Sequence, residues 1–205
     1  MTIIERGEKL AKLIQVTIED QDNLKALTAI AERIYHSIKS ARLVYAFGNG
    51  GSAAEADHFV AELLGAFSDR ERPPMMAVSL SQQPSSLTAI SNDYGYENYL
   101  TRCARAMWAT DSLLLLTTSG CSKNIVEVVK LTMTDPGAYP MVMLITGQRY
   151  LSSELMGYRH DLFPVVVIPS MDTCEVQEVT LFLLHRVVAL VEHFFKEPAE
   201  VNSGG

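Results

Sequence analysis

The apolar positions of this chain follow two spacings that divide it into an arm and a body. Between about Ile4 and Ser40 they recur at helical intervals, with Leu10, Leu13 and Ile14 on one stripe and Leu24, Leu27, Ala31, Ile34 and Ile38 on another. Two amphipathic helices are predicted there, forming an N-terminal helical arm over residues 1–40 that can cover a sheet or pair with another subunit. The body opens with short runs that are apolar on both faces: Leu43–Phe47, Met75–Leu80, Leu113–Leu116, Met141–Ile145 and Val165–Ile168. Runs apolar on both faces are expected of strands buried in a parallel sheet between two layers of helices. Helical patterns separate them, at Ser52–Phe67, a short one near Leu87, Glu97–Ala109, Ser122–Thr132, and a long one from about Asp172 to Phe195. Asp135-Pro136-Gly137 signals a sharp helix stop. The predicted fold is α/β, a three-layer sandwich with a central parallel sheet. One domain occupies residues 41–198 behind the arm, and a disordered tail is expected over 199–205.

Two strand-to-helix junctions carry candidate chemistry. The first is Gly48-Asn-Gly-Gly-Ser52, whose glycines permit a tight turn and close backbone approach to a ligand. Ser52 is placed to cap the helix that follows, whose unpaired N–H groups favour an oxyanion. On that helix His58 and Glu62 lie four residues apart and share one face. The second junction, Thr117-Thr-Ser-Gly-Cys-Ser122, ends a buried strand in a cluster of hydroxyls and opens another helix. Hydroxyls with helix-start N–H groups form a phosphate site without lysine. In open parallel sheets ligands sit beyond the carboxyl ends of the strands, where both junctions fall. Taken singly, the turn is an ordinary turn and the His–Glu pair an ordinary surface contact. The order in which they occur raises their weight.

The last helix adds Gln177, Glu178 and His185. Gln177 and His185 are eight residues apart, nearly on one face but about 12 Å apart along the axis. His185 sits among Leu183, Leu184, Val187 and Val188, a setting in which a satisfied core histidine is the plain alternative.

Composition narrows the function classes. The 205 residues are 48% hydrophobic and 20% charged, ordinary for a soluble globular protein. A formal net charge of -7, with no basic run to offset it, argues against a nucleic-acid binder. No apolar run approaches the ~20 residues that span a bilayer, so no membrane partner is expected. The N-terminus is charged at once, without a signal-peptide core. Three scattered cysteines suit reduced thiols, and a cytoplasmic protein is expected.

In this order, the pieces resemble the sugar isomerase (SIS) domain and, within it, the phosphoheptose isomerases. The resemblance rests on the arm, on Gly48-Asn-Gly-Gly-Ser52 leading to His58 and Glu62, and on Leu87-Thr-Ala-Ile-Ser-Asn-Asp-Tyr-Gly-Tyr96. Thr117-Thr-Ser-Gly-Cys-Ser122 and Gln177-Glu178 with His185 complete it. It implies isomerisation of sedoheptulose 7-phosphate to D-glycero-D-manno-heptose 7-phosphate, a step toward the heptose of surface polysaccharide. It further implies Glu62 as the proton shuttle between C1 and C2 and His185 as its acid/base partner. A zinc ion held by His58, Glu62, Gln177 and His185 is implied, as is a homotetramer with sites between subunits. The implied substrate contacts are Asn49, Gly50, Gly51, Ser52, Asp93, Thr117, Thr118, Ser119, Ser122 and Gln177. An enediolate reaction needs these types of group: a carboxylate base, a proton donor, and stabilisation of the oxyanion.

The chain departs from the usual family pattern at several positions. Ala66 stands for an arginine, Cys121 for an asparagine, Glu175 for a basic residue and Thr180 for a histidine, and Gly147 is followed by Gln148-Arg149-Tyr150 rather than Asp-Gly-Gly. Arg70 and Arg72 are candidates to replace the missing cation. The alternatives are an isomerase of another phosphorylated sugar, or a non-catalytic SIS-domain tetramer of the kind that associates with the replication initiator. Relatives of the latter kind lack the glutamate that Glu62 provides here.

Overall fold

The computed structural model describes residues 2–135, 137–152, 155 and 163–196. The expected tail over 199–205 and Pro136 of the expected helix stop lie outside the described residues.

The arm forms as its periodicity predicts, as α1 (Ile3–Glu19) and α2 (Gln21–Lys39). Thr2 and Glu5 make a reciprocal capping box at the start of α1, and the Asp20 side chain caps α2 through the N–H groups of Asp22 and Asn23. The arm is fastened to the sheet by Asn23, which is almost fully buried. Its amide donates to the Val167 carbonyl at 2.9 Å and accepts from the Val167 N–H at 2.8 Å. One side chain thus satisfies backbone groups on the edge strand of the sheet, which would otherwise be left unpaired.

Five parallel strands follow: β1 (Val44–Gly48), β2 (Ala77–Ser79), β3 (Ser112–Thr117), β4 (Met141–Gly147) and β5 (Val165–Ile168), in the order β2-β1-β3-β4-β5. Between and after them lie α3 (Gly51–Leu64), α4 (Pro84–Tyr94), α5 (Tyr99–Ala104), α6 (Lys123–Thr134) and α7 (Thr173–Lys196). Alternate strand residues bury on opposite faces. Val44, Ala46, Leu114, Leu116, Met143 and Ile145 pack with α1, α2, α3 and α7. Phe47, Leu113, Leu115, Val142 and Leu144 pack with α5, α6 and Leu87 and Ile90 of α4. The result is the three-layer sandwich expected, with the arm in the same layer as α3 and α7.

Several boundaries differ from the sequence expectation. The α3 helix begins at Gly51, with Gly50 in the capping position, so Ser52 is a buried residue of the first turn rather than the cap. It ends at Leu64, short of Phe67. The Arg72 guanidinium takes the carbonyls of Glu62 (2.6 Å) and Leu63 (2.9 Å), the last-turn acceptors that a longer helix would have used. The helix near Leu87 runs to eleven residues, whereas Glu97–Ala109 is helical in the α sense only over Tyr99–Ala104.

Candidate active site

The strand order creates the site. From β1 the chain passes through α3 on one face of the sheet toward β2, and from β3 through α6 on the other face toward β4. The crevice beyond the carboxyl ends of β1 and β3 is therefore a topological switch point, where open α/β sheets hold their ligands. Register places Gly48 beside Leu116, so both loops leave the sheet at one level. Between them lies a cavity of about 280 Å³. Asn49, Gly50, Gly51 and Ser52 line it from the first loop, Thr117, Thr118 and Ser122 from the second, and Gln177 with Thr173 from α7. Ser119 and Asp93 are not among its lining residues. The Ser119 hydroxyl accepts the Cys121 N–H at 3.2 Å within its own loop. Asp93 is exposed on α4, accepting from the Asn92 side chain at 2.9 Å.

Both helices begin beside this cavity without a side-chain cap; the Ser52, Ala53 and Ile125 N–H groups are taken by the carbonyls of Asn49, Gly50 and Ser122, so an oxyanion here would be met by the very first N–H groups of each helix. Helix α7 closes over the first loop so tightly that a Cβ at Gly51 would fall 2.2 Å from Gln177 Nε2 and displace that side chain. A chain of hydrogen bonds that the sequence did not suggest joins the loops. Buried Asn124, in the first turn of α6, pairs its amide reciprocally with that of Asn49, at 3.1 and 3.0 Å. The Tyr96 hydroxyl donates to the same Asn49 oxygen.

A second cluster lies further along α3. His58 Nε2 stands 2.8 Å from His185 Nε2 and 3.5 Å from a Glu62 carboxylate oxygen. One ligand atom from each of the three residues falls within 4.8 Å of the others. Two imidazole nitrogens and a carboxylate oxygen are donor types that a zinc-like cation accepts, so these residues fit a metal ion. The Phe67 ring stacks on His185 with centroids 5.4 Å apart and planes 27° from parallel. Burial, and then the neighbouring His58, hold the His185 imidazole below its ordinary pKa. It is therefore ready to act as an unprotonated ligand or base near neutrality.

The helices α3 and α7 run in the same direction. Gly51 meets Gln177, and seven and eight residues later His58 meets His185, each a step of about 10–12 Å along its helix. Within one chain, then, His58, Glu62 and His185 come together while Gln177 belongs to the loop cavity.

Two of the departures acquire a setting. Arg72 does not replace the missing cation. Its side chain is 5% exposed and is committed to Glu192 (2% exposed, 2.7 Å) and to backbone carbonyls. Glu192 also receives the Ser68 hydroxyl and the N–H groups of Phe67, Ser68 and Asp69, and so fixes the segment that carries Phe67 onto His185. The Glu175 carboxylate is answered by Lys9 of the arm and by the Ser170 hydroxyl, which together hold its pKa below the usual range. The sequence offered one hint of the Glu192 network: a carboxylate on the otherwise apolar inner face of the last helix.

Comparison with known proteins agrees with this geometry. Residues 7–134 match the SIS domain family. A phosphoheptose isomerase of Campylobacter concisus is 34% identical over 184 residues, covering 89% of this chain and 93% of that protein. The solved phosphoheptose isomerase of Neisseria gonorrhoeae superposes with a TM-score of 0.74 at 30% identity, over 93% of this chain and 99% of the other. That of Francisella tularensis gives 0.77 at 26% identity, over 94% and 100%. The chain belongs to the phosphoheptose isomerase family of SIS-domain proteins, a family of sugar-phosphate isomerases. Among the described residues no helix is long and apolar enough to cross a membrane.

Proposed function

We propose that this protein is a phosphoheptose isomerase that interconverts sedoheptulose 7-phosphate and D-glycero-D-manno-heptose 7-phosphate. The observation that carries the proposal is the convergence of His58, Glu62 and His185 on one helix pair that also borders the uncapped loop cavity. The first-turn N–H groups of α3 and α6, with Thr118 and Ser122, hold the phosphate. Glu62 carries the proton between C1 and C2, and His185 exchanges protons with the adjacent oxygens. A neutral imidazole is the form this role needs, and burial with a neighbouring His58 favours it. His58, Glu62 and His185, joined by Gln177, would hold a zinc ion, which when bound supplies electrophilic stabilisation of the oxygens on C1 and C2.

Gln177 joins that set most simply from a second copy, because in one chain it is a helix step of about 12 Å from His185. Assembly as a homotetramer, with the loop cavity of one copy meeting the histidine cluster of another, accommodates this. The working compartment in this reading is the cytoplasm, with the product directed to surface polysaccharide.

A second reading, an isomerase of another phosphorylated sugar, draws on the commitment of Arg72 to Glu192 and on Ala66, which leave the substrate without the usual arginine contact. Turnover across a panel of sugar phosphates, run with metal analysis of the purified protein, separates the two. Preference for sedoheptulose 7-phosphate supports the first reading, and preference for a shorter sugar phosphate supports the second.

A further inference from the structure

The Asn49 carboxamide stands at the mouth of the loop cavity, and its orientation is dictated from the backbone outward. The Ile125 N–H, shared between the Ser122 carbonyl at 2.9 Å and Asn124 Oδ1 at 3.0 Å, favours oxygen at that Asn124 atom, since a nitrogen there would set donor against donor. The Asn49 atom 3.1 Å from it must then be nitrogen, and the Asn49 atom 3.0 Å from Asn124 Nδ2 must be oxygen. That oxygen also accepts the Tyr96 hydroxyl, so both of its lone pairs are occupied. The Tyr96 phenol keeps its proton near neutrality, as an ordinary tyrosine does, and is the donor of this pair. One N–H of Asn49 is left over, and Asn49 itself is only half-buried and lines the cavity.

We infer that Tyr96 and Asn124 are positioning residues that fix Asn49 as a one-way hydrogen-bond donor, so that the site accepts an acceptor oxygen at this point and rejects a donor. The inference rests on the isomerase reading for the identity of that oxygen, either a phosphate oxygen or the oxyanion that develops on the sugar. Tyr96 does not touch substrate in this scheme. Its effect passes through Asn49.

A double-mutant cycle with binding as the readout tests this, using sedoheptulose 7-phosphate and inorganic phosphate as probes in calorimetry. Tyr96→Phe keeps the ring and removes only the hydroxyl, so the fold is preserved. It is expected to weaken sugar-phosphate binding about fivefold, the worth of one neutral hydrogen bond. In an Asn49→Ala background the same change should have less than about a twofold effect, because the residue it acts through is gone. Asn49→Asp, which replaces the outward N–H by an acceptor, should bind more weakly than Asn49→Ala. A loss shared by both probes assigns the oxygen to phosphate, and a loss confined to the sugar phosphate assigns it to the sugar. Either result supports the inference. Additive losses from Tyr96→Phe and Asn49→Ala, Asn49→Asp binding as well as Asn49→Ala, or a wild type that binds neither probe would overturn it. A wild type that binds both probes but turns over no sugar phosphate defeats the isomerase reading alone, since the cycle is still measured.

Discussion

His58 Nε2 and His185 Nε2 face each other across 2.8 Å, one from α3 and one from α7. Two neutral imidazoles can share that distance only if one donates a proton, whereas a cation would serve both as acceptors. With Glu62 at 3.5 Å the second arrangement is well supplied with donors. Purified protein is expected to carry zinc, and His58→Ala and His185→Ala should each lower occupancy by about tenfold or more. Metal content by mass spectrometry checks this. Full occupancy in both variants would place the ion elsewhere.

The loop hydroxyls have unequal settings. Thr118 and Ser122 line the cavity, but the Ser119 hydroxyl is engaged by the Cys121 N–H. Thr118→Ala and Ser122→Ala should each raise KM more than they lower kcat, by about 1.5–3 kcal/mol for a hydrogen bond to an ionic phosphate. Ser119→Ala should cost less. Steady-state kinetics on the three variants is the check, and a reversed order would contradict the placement.

The strands and arm helices were legible in the sequence because their signals are local. An apolar run such as Leu113–Leu116 needs no partner to be recognised as a buried strand. The loops were legible too, through glycine and hydroxyl punctuation. The links between distant segments were not: Asn23 to Val167, Asn49 to Asn124, and Arg72 to Glu192. Each is a single polar side chain whose partner lies far along the chain, and no periodicity marks it. The same gap explains why Arg72 looked available as a phosphate ligand. Its burial and its pairing with Glu192 are decided by α7 and leave no mark in the local sequence.

Glu192 gives a stability test. Burial alone would push its carboxyl up, but Ser68, Arg72 and the backbone N–H groups of Ser68 and Phe67 outweigh this and hold it at about 2. The folded state therefore favours the carboxylate. Its stabilisation is present above the unfolded value of about 4.3 and is lost as pH falls through the folded one. Glu192→Ala leaves Arg72 buried without its partner and should destabilise the protein by about 3–5 kcal/mol at neutral pH. Urea unfolding measures the loss. A change under about 1 kcal/mol would mean the network relaxes without cost.

Glu55 behaves in the opposite sense. It is buried on α3, neither carboxyl oxygen makes a hydrogen bond of good geometry among the described residues, and burial pushes its pKa up to about 7 against the weaker opposing pull of the nearby Ser52 hydroxyl. The folded state then holds a proton that the unfolded chain has released, so stability falls as pH rises from about 4.3 to about 7 and stays reduced above it. Glu55→Gln should raise Tm at pH 8 and change it little at pH 5. Thermal melts at the two values decide the matter, and an equal effect at both would show that the carboxyl is paired.

The central claim is that Glu62 moves the proton. The most direct test follows sedoheptulose 7-phosphate in deuterated water with wild-type protein and with Glu62→Gln, each verified as folded. Wild type should isomerise the sugar and incorporate deuterium at the exchanging carbon. Glu62→Gln should lose both together, by a factor on the order of 10² or more. Deuterium exchange at the wild-type rate in Glu62→Gln would contradict the account.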